Sequence, residues 1–163
     1  MGNLRRKGLY LIAGALTLSL AGCSGFFWDA APTPAPAPVV VPPSVGPEAL
    51  LGSWGLASYR KEADRARTEK EAHAQCNRPY VIKLGPNGGL MMNLADQKET
   101  SELVLKGSPD GKTYLGLPGD VGTPDDRVIS AVGPDSFTAD WVDLDNATRY
   151  GTMIYVRCKA KAH

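Results

Sequence analysis

The chain has 163 residues, with 18 basic and 17 acidic side chains and 43% hydrophobic residues, a composition that suits one globular domain plus some additional sequence. Three of the 18 basic residues are Arg5, Arg6 and Lys7, so the rest of the chain carries 15 basic against 17 acidic groups. A near-neutral domain without a Lys/Arg run lacks the charge needed to hold phosphate backbones, which argues against nucleic acid as a partner. The length left after the terminal segments excludes a second domain.

Residues 2 to 8 carry those three positive charges, and the run from Leu9 to Ala21 is apolar and ends in small residues. This is the pattern of a secretory signal, and the run is too short to cross a bilayer as a mature helix. Leu20-Ala21-Gly22-Cys23 closes the run and resembles the lipobox of bacterial lipoproteins. That resemblance implies that residues 1–22 are a signal peptide, cut off before Cys23. It also implies that Cys23 carries acyl chains (palmitate among them) on its sulfur and amine, since two or more chains anchor a protein stably where one does not. Ser24 stands where an aspartate often retains such proteins in the inner membrane. The expected address is therefore the outer membrane, facing the periplasm.

Phe26, Phe27 and Trp28 follow; they either sit at the lipid headgroups, where aromatic rings are favoured, or serve as spacer. Seven of the 13 prolines fall between Pro32 and Pro47, which precludes a helix or a central strand there. Proline alternating with alanine and valine favours polyproline II, and a stretch from Ala30 to Pro47 reaches roughly 55 Å when fully extended. Residues 23–48 read as a lipidated N-terminus and proline-rich linker, and residues 49–163 as the periplasmic domain.

Within that domain, residues 51–56 supply a first strand. Residues 58–75 contain no glycine or proline and many charges, with opposite charges four apart at Arg65/Glu69 and Arg67/Glu71; the spacing predicts a helix. It either caps one barrel mouth or lies along the outside, and either is solvated or meets a partner. Short apolar runs then alternate with Gly, Pro and Asp turns, at 80–84, 90–94, 101–106, 113–117, 127–132, 136–142 and 148–158, the last being the longest. Gly85-Pro-Asn-Gly-Gly89, Pro109-Asp-Gly111 and Gly133-Pro-Asp135 have the residue types that tight turns require.

Eight antiparallel strands with no room for crossover helices close most simply as an up-and-down β-barrel, which also removes exposed edges. Gly52-Ser53-Trp54 on the first strand and Arg157 on the last resemble the lipocalin-type pairing, in which the tryptophan plugs the barrel floor and the arginine packs across it. Similar Gly-x-Trp starts occur in small-barrel periplasmic inhibitors of metalloproteases. The long charged insert before the second strand departs from both.

With Cys23 lipidated, Cys76 and Cys158 remain in an oxidising compartment, so one disulfide is the parsimonious outcome. It would close about 82 residues and stabilise the domain by roughly 4 kcal/mol through chain entropy. A redox-active or metal-binding pair needs CxxC spacing or histidine neighbours that the sequence lacks.

The inventory for catalysis is thin. His73 and His163 are the only histidines, and no nucleophile elbow, zinc motif or phosphate-binding glycine loop is present. Asp140, Asp143, Asp145 and Asn146 read as turn chemistry because the glycine and distal glutamate of a calcium loop are missing, and Asp125-Asp126 reads as a solvated turn. No catalytic residue, cofactor or metal is assigned. The expected function is a non-enzymatic binding module, taking a small apolar ligand inside the barrel or an envelope protein at its rim. Leu, Met and Tyr on the inward parity favour a packed interior. The alternative is a periplasmic protease inhibitor of the small-barrel type, in which the resemblance implies that the segment before the barrel, here the stalk and residues 48–51, enters the protease cleft.

Overall fold

The computed structural model describes residues 40–159. The signal segment, Cys23, the aromatic cluster at 26–28, the stalk up to residue 39 and His163 lie outside the described residues. Eight strands close an antiparallel barrel in which each strand pairs with the next and the last returns to the first. They are β1 (Gly52–Tyr59), β2 (Tyr80–Leu84), β3 (Leu90–Asn93), β4 (Thr100–Gly107), β5 (Thr113–Gly116), β6 (Arg127–Ser130), β7 (Ser136–Trp141) and β8 (Thr152–Arg157). α1 (Pro47–Leu50) leads into β1, and two α-helices interrupt the meander, α2 (Arg65–Ala74) between β1 and β2 and α3 (Leu144–Tyr150) between β7 and β8. The up-and-down barrel expected from the turn spacing is the observed fold.

The barrel closes along β1 and β8, whose six register pairs run from Trp54 opposite Arg157 to Tyr59 opposite Thr152. This pairing also moves the start of the helix. Residues 58 and 59, expected to be helical, stay in β1, and helical structure begins at Glu62 and runs through α2 to a 3-10 turn at Gln75–Asn77. Cross-strand pairing and the burial of Tyr59 outweigh the weak helix preference of this stretch.

Residues 148–158 are not one long strand. Asp143 accepts a hydrogen bond from the Asn146 amide at 2.8 Å and so caps α3, which covers residues 144–150. Gly151 ends that helix at φ 70, and a Cβ there would lie 2.4 Å from the Tyr59 carbonyl oxygen. Only glycine fits both requirements.

The interior is filled. Trp54 meets Phe137 edge-on at 4.8 Å, Phe137 stacks on Tyr155 at 4.3 Å, and Tyr155 meets Tyr80 edge-on at 6.0 Å. Leu, Ile and Met side chains from β2 to β6 surround this aromatic column, with Ile82, Leu90, Met92, Leu103 and Leu115 at most 2% exposed. On β6, where the sequence leaves Val128 or Ile129 as the inward residue, Ile129 points inward as part of the core. The inward parity holds for most of the other strands and fails at three positions. Leu84 and Leu117 lie near or past strand ends and are 57% and 38% exposed. Ile154 belongs to a separate cluster outside the barrel with Tyr59, Val156 and Ala72.

That outer cluster seats α2. Ala57, Tyr59, Ile154 and Val156 form the outward face of β1 and β8, and Ala72 is the fully buried side chain that meets it. The helix approaches so closely that a Cβ on Gly55 would lie 1.9 Å from the Ala72 carbonyl oxygen. The charged helix therefore lies along the outside of the barrel. A disulfide joins Cys76, just after it, to Cys158, just after β8, with a Cα–Cα distance of 5.5 Å.

Candidate functional site at the open mouth

The register fixes what lies at each end of the barrel. One end collects the start of β1 and the end of β8 and is closed. Trp54 is fully buried there, its Nε1 donates to the Leu50 carbonyl at 2.9 Å, and the Arg157 guanidinium sits 4.1 Å from its ring centroid. Arg157 also donates to the carbonyls of Pro134, Leu51 and Ala49 at 2.8, 3.1 and 3.0 Å, so it ties the segment before β1 to the loop between β6 and β7. The contact between Trp54 and Arg157 is thus a floor in the structural sense.

The segment leading into β1 completes the floor. Ser44 donates from its amide to Thr113 Oγ1 at 3.0 Å, Val45 packs on the core and Leu50 is fully buried. Residues 41–47, read from their prolines as stalk, thus lie against the barrel. The residues that the inhibitor resemblance would send into a protease cleft, 48–51, are held by Arg157 and Trp54 of their own domain.

The opposite end gathers the end of β1, the start of β2, the end of β3, the start of β6 and the end of β7. It opens into a cavity of about 140 Å³. Leu56, Leu94 and Met153 give apolar walls, and Tyr80 and Tyr155 close its base. Arg127 and Trp141 face each other across β6 and β7, with the guanidinium 4.3 Å from the indole centroid. Arg127 is only 3% exposed. One Nη donates to the Asn93 carbonyl, while Nε of Arg127 and Nε1 of Trp141 are buried without any hydrogen-bond partner.

No carboxylate balances that guanidinium: Arg127 takes part in no salt bridge among the described residues. The one acidic side chain lining the cavity, Asp96, is already engaged by Arg149 Nη1 and the Tyr150 hydroxyl. Those hydrogen bonds from Tyr150 and Arg149 hold the Asp96 carboxyl below the usual carboxylate range. They also tie α3 to the rim, where Arg60 Nε donates to the Thr148 carbonyl at 3.0 Å. Burial raises both phenols at the base, Tyr155 to about 12 although Arg127 pulls the other way, so both are neutral hydroxyls at physiological pH.

The other sequence candidates fall elsewhere. His73 is exposed on α2. Asp140 accepts from Thr152 Oγ1 and Ser130 Oγ, and Asp143 caps α3, so these acids serve local structure separately. Among the described residues no group of His, Cys, Asp or Glu is placed to hold a metal ion. Asp126 is no solvated turn residue. It is fully buried over the outer face of β4 and β5, accepts from Lys106 Nζ at 2.7 Å, and takes the Gly122 and Thr123 amides on its other oxygen. Lys106 in turn donates to the Leu117 and Asp120 carbonyls, so this pair organises the loop from 117 to 126 with every donor used.

Arg127 and Trp141 were not singled out from sequence as site residues. The available signal was a charged residue on the inward parity of β6, two positions before Ile129 and opposite a tryptophan.

No protein-family model matches the chain, and neither a curated protein nor a solved structure is significantly similar to it.

Proposed function

We propose that this chain is a periplasm-facing lipoprotein, anchored in the outer membrane through acylated Cys23, and that its barrel is a non-enzymatic binding module working through its open mouth. The observation that carries the reading is the asymmetry of the two ends. One is plugged by Trp54, Leu50 and Arg157; the other ends in a small cavity whose wall holds two buried polar groups with unused donors. Buried donors without partners cost stability, and native proteins keep few of them unless function requires it.

The packed aromatic column leaves no deep calyx, so the apolar-ligand version of the reading narrows to something that fits the mouth: a small molecule, or a short projection of an envelope protein. The lipocalin-like resemblance contributes the floor pairing and no ligand. The inhibitor alternative is weakened by the engagement of residues 48–51 with the floor and now depends on the chain before residue 40.

A photoreactive amino acid placed at Ala95 on the rim, in the full chain expressed in its own envelope, should give discrete adducts under light. The same group at the exposed Lys83, on the floor side, should not. Equal labelling at both positions, or none at Ala95, would overturn the assignment of the mouth as the working end.

A further inference from the structure

A guanidinium at 3% exposure ordinarily sits against a carboxylate or has all its donors used, because a buried charge without a counter-ion is costly. Lys106 in this same barrel obeys the rule: it is paired with Asp126 and spends its other two donors on carbonyls. Arg127 departs from it. One Nη donates to the neutral Asn93 carbonyl, its flat face is covered by Trp141, and Nε has no partner. The nearby Asp96 is committed to Arg149 and Tyr150.

We infer that the mouth is a carboxylate site, in which the Arg127 guanidinium takes the anionic group of a small apolar monocarboxylate and the walls take its body. Three observations join here. The charge is positive, buried and uncompensated. Trp141 lines the same cavity, and its buried Nε1 is a second unused donor. The cavity, at about 140 Å³, matches the roughly 150 Å³ space that accepts a single benzene ring in an engineered apolar cavity. Leu56, Leu94 and Met153 offer that ring or a short alkyl chain an apolar wall, while the neutral phenols of Tyr80 and Tyr155 at the base add no negative charge to repel the carboxylate. A planar two-oxygen anion suits the guanidinium fork better than a point charge would. The inference rests on the mouth being the binding end, and it adds what is bound there.

The test uses the full chain in a non-ionic detergent, with benzoate and benzyl alcohol as probes of equal ring size. Titration is followed by calorimetry and by the indole N–H signal of Trp141, with that of Trp54, already bonded to Leu50, as an internal control. Benzoate should bind about tenfold or more tightly than benzyl alcohol, because a charge-assisted hydrogen bond is gained only with the anion, and should shift the Trp141 signal and not the Trp54 signal. Arg127→Met, shown folded by circular dichroism, should lose that preference. Arg127→Lys should keep part of it.

Equal binding of the two probes, or a preference that survives in Arg127→Met, would overturn the carboxylate assignment while leaving the mouth as a plain apolar site. Failure of benzoate to bind also overturns it. The photolabelling at Ala95 then decides separately whether the mouth is a binding end at all.

Discussion

Replacing Trp54 by alanine removes the largest side chain of the floor, and the structure sets the size of the effect. The indole is fully buried, holds the Leu50 carbonyl at 2.9 Å, meets Phe137 at 4.8 Å and carries Arg157 at 4.1 Å over its face. A large-to-small change of this kind costs about 3 to 5 kcal/mol, of which the partly desolvated cation–π contact accounts for about 1 to 2 kcal/mol. Arg157→Ala should cost about 2 to 3 kcal/mol, since it loses that contact and three hydrogen bonds to carbonyls at the edge of solvent. The shared contact can be lost only once, so the double variant should fall short of the sum by about 1 to 2 kcal/mol. Urea unfolding of the full chain and the three variants, followed by far-ultraviolet circular dichroism, measures all four corners of the cycle. Strict additivity, or a loss below about 1 kcal/mol for Trp54→Ala, would refute the floor as described.

Replacing Cys76 and Cys158 by serine opens a crosslink between positions separated by 82 residues and should lower stability by roughly 4 kcal/mol in non-reducing urea titrations; wild type titrated under strong reductant should match it. Cys23→Ser should leave the barrel folded but release it from the membrane fraction on sedimentation, and an unchanged membrane fraction would count against the anchor. Lys106→Ala strands the fully buried Asp126 carboxylate and should cost about 3 to 5 kcal/mol, more than the paired change of both residues to apolar ones of similar size. Tyr155 titrates near 12 in the folded barrel and near 10 when unfolded, so folding favours its protonated form. Its contribution is complete below pH 10 and fades as the pH climbs from 10 to 12, by roughly 2 to 3 kcal/mol in all. Unfolding midpoints across that range, read beside phenolate absorbance, check it.

The strand count and the closure of the barrel were legible because each hairpin carries its own signal: apolar runs of strand length separated by Gly, Pro and Asp turns. The floor was legible for a different reason, since Trp54 and Arg157 carry a recognisable pairing. Three features were obscured by competing signals. The Thr148-to-Cys158 run reads as strand throughout because its apolar residues are dense, and the cap pair of Asp143 and Gly151 that makes residues 144–150 a helix is local chemistry easily taken for a turn. Pro42, Pro43 and Pro47 read as stalk by composition, yet the chain around them packs, because proline excludes regular ladders and not contact. Asp126 reads as turn polarity because its partner, Lys106, lies 20 residues away in sequence.

Arg127 marks the boundary of what periodicity reveals. Its inward parity is visible in the sequence, but parity alone does not distinguish a residue at a strand end reaching solvent from one sealed beneath a tryptophan. The distinction needs the register that places Trp141 opposite it and the helix α3 that rims the mouth.

The claim that Arg127 is held for binding and not for folding is tested most directly by the unfolding midpoint of Arg127→Met in the absence of any ligand. A methionine of similar reach removes an uncompensated buried charge and keeps the packing against Trp141, so stability should stay within about 0.5 kcal/mol of wild type or rise, as replacements of buried charges by apolar side chains often do. A loss of about 3 kcal/mol or more would contradict the account, because it would make the guanidinium a structural support of the barrel and leave the mouth without a reason for its charge.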